Sequence, residues 1–166
     1  DVGALDNFWR SAENLRVNGT LVWATSQAAP LRTVVADAIA FSDGDGWSSG
    51  GFAADLRVAG AIDFGTQQQA FVRTSEFGVV GHFPSFNTVC VGCVPTPARR
   101  CDSTSVVAVD HAPVVAEKPY LYAEDGRLLL AIPPVRRGAH GAERRARGSS
   151  GDGGDSSGGD GGYCYG

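Results

Sequence analysis

Methionine is absent from all 166 residues, including the first position. A complete translation product starts with Met or with a residue exposed by processing, so we expect either a processed mature chain or an internal piece of a longer protein. No apolar run approaches the roughly 20 residues that cross a bilayer, and no basic segment followed by an apolar one opens the chain. The sequence therefore predicts no membrane span.

A basic surface is also missing. The chain carries 14 Lys and Arg against 18 Asp and Glu, which gives a net charge of -4 and a pI near 5.2. Its one tight basic cluster, Arg144, Arg145 and Arg147, lies in a Gly-rich stretch. Because nucleic-acid binding needs a clustered basic surface, we expect no nucleic-acid partner. No phosphate-binding loop, dinucleotide fingerprint or nucleophile elbow occurs, and we predict no cofactor.

Cysteine is too sparse for a familiar zinc site. Cys90 and Cys93 have the spacing of half a metal knuckle or of a redox pair, but a structural zinc site needs a second close pair. We therefore predict no metal. The thiols are expected to be buried in strands or to form one loop disulfide, for which a secreted chain offers Cys93 and Cys101. The four cysteines are Cys90, Cys93, Cys101 and Cys164.

Up to residue 136 the sequence is a series of short β-branched or aromatic runs separated by turn residues such as Asn18-Gly19 and Asp125-Gly126. This pattern is typical of an all-β domain, and no helical period persists long enough to predict a helix. Residues Phe8–Val17 fit either a helical turn or the entry to a strand. The runs are Thr20–Trp23, Leu31–Val35, Leu56–Val58, Ala61–Phe64, Ala70–Arg73, Val89–Val94, Val106–Val109, Pro119–Tyr122 and Arg127–Ile132.

The composition changes at Arg136. Eleven of the 23 glycines lie in residues 137–166, mixed with Ser, Asp and Arg. Such a segment cannot bury enough apolar surface to offset the entropy that it loses on ordering. We predict two regions, which are an all-β domain at 1–136 and a disordered low-complexity tail at 137–166.

Residues 51–80 help to distinguish a parallel β-helix from a β-sandwich. Their short strands are divided by single turn residues, without the Asn-Gly dipeptide that antiparallel hairpins prefer. A parallel β-helix, in contrast, turns at single Gly or Asn corners and stacks each coil of chain on the next. No exact repeat is visible, so spacing alone leaves a β-helix and a β-sandwich open.

Five segments, in their order and spacing, resemble one family. Together they are similar to large secreted proteins, common in actinobacteria, that carry pectate-lyase-like right-handed parallel β-helices. These proteins resemble in architecture the tandem β-helix β-1,3-glucanases of glycoside hydrolase family 55. The resemblance covers about residues 7–136. The segments are residues 8–15 (Phe-Trp-Arg-Ser-Ala-Glu-Asn-Leu), 23–32, 44–55, 65–76 and 113–122.

The resemblance implies a right-handed parallel β-helix in a secreted protein that acts on an extracellular polysaccharide such as β-1,3-glucan. Since members of the family are several times longer, it also implies that this chain is an internal fragment whose partner is the missing remainder of its own β-helix. A non-catalytic carbohydrate-binding or adhesion solenoid and an inactive fragment are the alternatives. Cys90 and Cys93 depart from the family, because they stand where ordinary strand residues are expected.

Glycoside hydrolysis needs two carboxyl groups that flank the scissile bond. We assign this role to Glu76 and Asp55, with Glu76 as the acid. The alternative is that Glu76 is a carboxylate at the edge of a coil, paired with Arg73 on the solvated face. A catalytic pair would line one groove with its carboxyl groups about 5 to 9.5 Å apart.

Substrate contacts are expected from amide, indole and guanidinium side chains. An amide can donate to and accept from sugar hydroxyls, but stacked amides can instead form ladders that support the fold. A tryptophan can stack on a sugar ring, although an indole more often packs in a core. The predicted substrate-binding residues are Gln67, Gln68, Gln69, Arg73, Trp47 and Trp23.

Overall fold

A computed structural model describes residues 7–27, 29–42, 51–82, 87–95 and 106–142, and in these residues every regular element is a strand. Trp47, Cys101, Cys164 and the predicted tail from residue 143 onward lie outside the described residues. No helix in the described part is long and apolar enough to cross a membrane. The strands are β1 (Asn7–Phe8), β2 (Ala12–Val22), β3 (Thr25–Gln27), β4 (Ala29–Ala40), β5 (Gly51–Ala54), β6 (Arg57–Asp63), β7 (Gln69–Arg73), β8 (Glu76–Val80), β9 (Asn87–Val91), β10 (Val106–Val109), β11 (Ala112–Val115), β12 (Tyr120–Glu124), β13 (Arg127–Ala131) and β14 (Arg136–Ala139).

Parallel pairing between successive coils defines a β-helix. In the largest sheet the strands follow the order β10-β9-β7-β5-β4-β6-β8, and β2 also pairs with β4. All these pairings are parallel. The long strand β4 bends, so that Ala29–Arg32 pairs with β5 whereas Val35–Ala40 pairs with β6. The parallel β-helix implied by the family resemblance is confirmed, and the sandwich alternative is wrong.

The core is built from side chains stacked in ladders, with one rung from each coil. The rings of Phe41 and Phe64, for example, stack with centroids 5.2 Å apart. Because an aligned ladder buries each rung against the next, small and branched apolar residues fill the interior and stabilise it. Two such buried ladders are Leu31, Ala53, Val72 and Cys90 on the first face and Ala36, Val58 and Phe77 on the second.

Each coil turns from its first face to its second at one residue in the left-handed region. The N–H of Thr74 donates there to Val91 O (2.8 Å), and the N–H of Gly92 donates to Val109 O (2.7 Å). A β-branched residue is strained at positive φ, so these conformations persist because the flanking strands fix them on both sides. We name the set the corner ladder, and it consists of Asn14, Thr33, Asp55, Thr74 and Gly92, with φ between 45° and 64°.

The chain leaves the helical path after β10. β11 pairs with β14 in an antiparallel sheet, and β12 pairs with β13 in a hairpin. The Asp125-Gly126 turn of this hairpin has positive φ at both residues, as a type I′ turn requires. The disordered tail was expected from residue 137, but residues 137–139 instead continue β14. The division into 1–136 and 137–166 stays a prediction.

Gly92 is the corner residue at which a side chain is least tolerable. A Cβ atom added there lies 2.4 Å from Ala139 O, and φ is +64°. We expect Gly92→Ala to lower the free energy of unfolding by about 2 to 4 kcal/mol, because backbone strain and a clash with a main-chain atom both contribute. Urea denaturation followed by circular dichroism measures this loss.

Gly126→Ala is the matched control. Gly126 has φ +74°, but no atom lies within 4 Å of an added Cβ. This variant should lose only about 1 kcal/mol, because it carries the backbone strain without the clash. Equal losses in the two variants would contradict the close approach of Ala139 to the corner ladder.

Candidate functional site

Asp55, the first of the two predicted catalytic carboxylates, is a corner residue. Asp is among the residue types that adopt positive φ most readily, and the φ of Asp55 is 57°. The residue is only 4% exposed. Its Oδ1 lies 3.8 Å from Nη1 of Arg136, which belongs to β14. Asp55 is therefore a buried carboxylate beside a guanidinium, covered by the C-terminal segment.

Glu76, the second predicted catalytic carboxylate, begins β8 next to the corner. Its Oε2 lies 3.9 Å from Nε of Arg57, which occupies the matching position on β6. Its Oε1 accepts a hydrogen bond from the N–H of Ala142 (3.1 Å), and Arg57 donates to Ala142 O (3.3 Å). Glu76 and Arg57 thus form hydrogen bonds with the N–H and the C=O of the same residue, Ala142.

Arg73, a predicted substrate-binding residue, is also paired with the C-terminal segment. Its Nη1 lies 2.8 Å from Oε1 of Glu117, and Nη1 of Arg32 lies 3.7 Å from Oε2 of the same carboxylate. In the alternative interpretation Glu76 pairs with Arg73. In the structure Arg73 instead pairs with Glu117, and Glu76 pairs with Arg57. The observed partners differ from the expected ones because Glu117, from a segment far along the chain, packs beside Arg73.

These contacts lie beside the corner, and we name the set the docking seam. It joins the β-helix to residues 117 and 136–142. Arg136 adds a hydrogen bond from its Nη2 to Gly141 O (2.9 Å). The docking seam consists of Asp55 with Arg136, Glu76 and Arg57 with Ala142, and Arg32 and Arg73 with Glu117. A polysaccharide would meet Asp55 only after residues 136–142 had moved away.

Gln67 and Trp23, two other predicted substrate-binding residues, are engaged by the fold. Gln67 is fully buried, and its Nε2 donates to Thr25 O (2.6 Å) and to Phe41 O (3.0 Å). Trp23 is half-buried against the core, and its Nε1 donates to Ala29 O (2.9 Å). In this structure both side chains bridge main-chain groups of the β-helix.

Gln69 is the predicted substrate-binding residue that faces an open surface. It lines a groove of about 330 Å³ together with two stacked phenylalanines, Phe52 and Phe71, whose ring centroids are 5.6 Å apart with planes 7° from parallel. Asn87 lies opposite Gln69 on the next strand. We name this surface the Phe52–Phe71 groove, and it is lined by Gly51, Phe52, Gln69, Ala70, Phe71, Asn87 and Val89.

The phenylalanines and Asn87 were missed in the sequence, although a signal was present. Gly51-Phe52 in β5 and Ala70-Phe71 in β7 pair in register. Since Ala53 and Val72, the next residues, are buried, the alternation of a strand directs both rings to the outer face. Arg32 extends the stack, with its guanidinium carbon 4.5 Å from the Phe52 ring centroid.

Metal-binding chemistry has little support in the described ranges. They contain no group of three or more His, Cys, Asp or Glu side chains that could hold an ion. One exposed pair is present, in which Nδ1 of His82 lies 2.9 Å from Oδ2 of Asp63. A structural metal needs more ligands than this pair supplies.

Known proteins match the chain over most of its length. No family model matches it. The chain is similar to an exo-β-1,3-glucanase of Streptomyces sp. (strain SirexAA-E / ActE), with 38% identity over 146 residues, which are 85% of this chain and 24% of that protein. Among solved structures it is similar to sacteLam55A from Streptomyces sp. SirexAA-E, with 37% identity and a TM-score of 0.78 over 84% of this chain and 26% of that one. A variant of sacteLam55A in complex with glucose gives 38% identity and a TM-score of 0.77, again over 84% of this chain and 26% of that one.

These likenesses confirm the resemblance to β-1,3-glucanases of glycoside hydrolase family 55. Identity at this level extends over more than four-fifths of the chain and accompanies the same fold. The chain spans about a quarter of the length of the proteins that it matches, as the interpretation as a fragment implies.

The docking seam makes a prediction about Asp55 and Arg136. Arg136→Met should lower the free energy of unfolding by about 3 kcal/mol, because it leaves a buried carboxylate without its guanidinium. Asp55→Asn should cost less, because Asn also adopts positive φ and keeps an acceptor oxygen. The double variant should be more stable than the sum of the two losses predicts, with a coupling of about 1 kcal/mol or more in urea denaturation. Strictly additive losses would contradict the pairing.

Proposed function

We propose that this chain is a segment of an extracellular glycoside hydrolase that acts on a polysaccharide such as β-1,3-glucan. The observation that carries the proposal is the 38% identity to an exo-β-1,3-glucanase over 85% of the chain. Because the chain spans 24% of that protein, the substrate and the reaction are inferred for the longer protein of which this sequence would form part. The secreted location is also a proposal, and it comes from the family resemblance of the sequence.

Within the chain, Glu76 and Asp55 remain the proposed catalytic carboxylates. Hydrolysis of a glycosidic bond needs a proton donor that the leaving oxygen can reach. The Glu76 side chain is 41% exposed and that of Asp55 only 1%, which favours Glu76 as the acid. The catalytic role of Asp55 would further require displacement of Arg136.

The Phe52–Phe71 groove favours a second candidate function, which is glucan binding without chemistry in this segment. Sugar rings present apolar C–H faces and a rim of hydroxyls. Aromatic rings pack against the former, and amides both donate to and accept from the latter. Phe71, Gln69 and Asn87 offer these groups on one outer surface. Gln68, Trp23, Trp47 and Arg73 stay proposed as further contacts.

The remainder of the polypeptide is the proposed protein partner, and the β12–β13 hairpin offers a surface for it. Leu121 lies opposite Leu130, with Leu128 two residues along the same face. These three side chains are 63%, 59% and 72% exposed. A two-stranded hairpin is marginally stable by itself, and contiguous exposed apolar side chains mark contact surfaces. A further β-helical segment packed on this face would supply the missing burial.

Glucan binding can be measured by retardation in native gels that contain laminarin. We expect the parent chain to be retarded, and Phe71→Ala to weaken the retardation about tenfold, because a stacked ring contributes roughly 1 kcal/mol or more. Gln69→Ala should weaken it by a smaller factor. Phe8→Ala removes an exposed ring outside the groove and should change nothing. Retardation that survives Phe71→Ala unchanged would exclude the groove as the glucan site.

Glu76→Gln separates catalysis from docking. The amide retains an acceptor for the Ala142 N–H, and the ion pair with Arg57 is half-exposed, so the variant should lose at most about 1 kcal/mol of stability. Reducing-sugar release from laminarin should fall at least about a hundredfold, because an amide cannot donate the proton. Retardation by laminarin should stay within twofold.

Unchanged hydrolysis in Glu76→Gln would assign that carboxylate to docking alone. A folded parent chain that releases no sugar would favour the binding segment over the hydrolase for these residues.

A further inference from the structure

Cys90 and Cys93 lie on either side of the last corner residue, Gly92. Cys90 is in β9, and Cys93 follows the corner. Both are free thiols and are buried, with exposures of 2% and 1%. The proposed function makes no use of them, since neither reaches the docking seam or the groove.

The corner geometry explains why both thiols point into the core. In the coils with corners at Thr33, Asp55 and Thr74, the residue two positions before the corner and the residue one position after it are directed inward. Val72 and Ser75 occupy these positions in the preceding coil, where Val72 pairs in register with Cys90 and Glu76 with Val94. The same positions in earlier coils are also buried, at Leu31 with Val34 and at Ala53 with Leu56.

The two thiols are therefore close together, because both side chains point into the core from either side of the same corner. A hydrogen bond between the two sulfurs raises the pKa of Cys90 far above that of an ordinary thiol, and burial adds to the increase. The same hydrogen bond lowers the pKa of Cys93, although burial acts in the opposite direction. The Cys93 thiol also donates to Val72 O, with a sulfur–oxygen distance of 3.7 Å.

We propose that Cys90 and Cys93 are a redox-active dithiol that closes to an internal disulfide, with a small-molecule or protein disulfide as the oxidant. The thiolate of one cysteine attacks the oxidant disulfide, forms a mixed disulfide and releases one thiol. The sulfur of the other cysteine then attacks the first cysteine sulfur, loses its proton and displaces the second thiol. Two cysteine thiols are oxidised and one disulfide is reduced to two thiols, so electrons and protons balance.

The disulfide would close the loop on which the C-terminal segment rests. Gly92 O accepts a hydrogen bond from the Gly141 N–H (2.9 Å). Ala139 O lies so close that a Cβ atom added to Gly92 would be only 2.4 Å from it. Because this cover and the core exclude reagents from both thiols, oxidation accompanies folding or follows an opening of residues 139–141. Oxidation of the native reduced chain is expected to be much slower than oxidation during refolding.

The test is refolding of the reduced, unfolded full chain in buffers of glutathione and glutathione disulfide, followed by alkylation and trypsin digestion. Cleavage after Arg73 and Arg99 gives a peptide, residues 74–99, that contains Cys90 and Cys93 and no other cysteine. We expect this peptide to be unalkylated and two hydrogen masses lighter than the reduced form. The oxidised chain should melt roughly 4 °C higher than the reduced chain.

Two single variants test the mixed disulfide. Cys90→Ser and Cys93→Ser cannot form the internal disulfide, so each should retain glutathione on its remaining thiol of the pair. A Cys101→Ser/Cys164→Ser variant removes the competing thiols and should form the same disulfide as the parent.

Complete alkylation of Cys90 and Cys93 after refolding in the oxidising buffer would overturn the proposal. A link from Cys93 to Cys101, or from either thiol to Cys164, would overturn it equally. Because the measurement is made on the unmodified chain, its outcome does not depend on the folding of a variant or on glucan activity.

Discussion

The β-helix depends on one backbone constraint, which is that every coil passes through the left-handed region at the same place. If one corner slipped by a residue, the inward side chains of that coil would turn outward, because side chains alternate along a strand. The corner ladder therefore sets the register of the apolar ladders on both faces. Thr33 and Thr74 are strained there, and they are held because the coils above and below repeat the same geometry.

Charged side chains of the candidate site also lie at or next to the corner. Asp55 lies at the corner, Arg73 and Glu76 flank it, and each contacts a charged or main-chain group from residues 117–142. A carboxylate that holds a segment in place and one that donates a proton to substrate need different surroundings. The surface proposed to bind glucan is a separate one, on the outer face of β5, β7 and β9, and it carries two phenyl rings and two amides.

The sequence predicted the fold of the chain better than it predicted the burial and the contacts of individual side chains. Order and spacing of short strands, together with the family resemblance, were sufficient for the parallel β-helix, and Asp125-Gly126 was sufficient for a turn. Gln67, however, is a core amide because Thr25 O and Phe41 O converge on it from two other coils. Asp55 is buried because Arg136 arrives from 81 positions along the chain. Neither contact has a local signal, since the first depends on how coils stack and the second on how the C-terminal segment packs against them.

The central claim is that this segment contributes a glucan-binding surface at the Phe52–Phe71 groove. Hydrogen–deuterium exchange of the full chain with and without a β-1,3-glucan oligosaccharide tests it most directly. The account predicts slower exchange in β5, β7 and β9 when the sugar is present. Unchanged exchange in these three strands would contradict the claim, even if residues 136–142 and the start of β8 were protected, because the sugar would then bind at Glu76 alone.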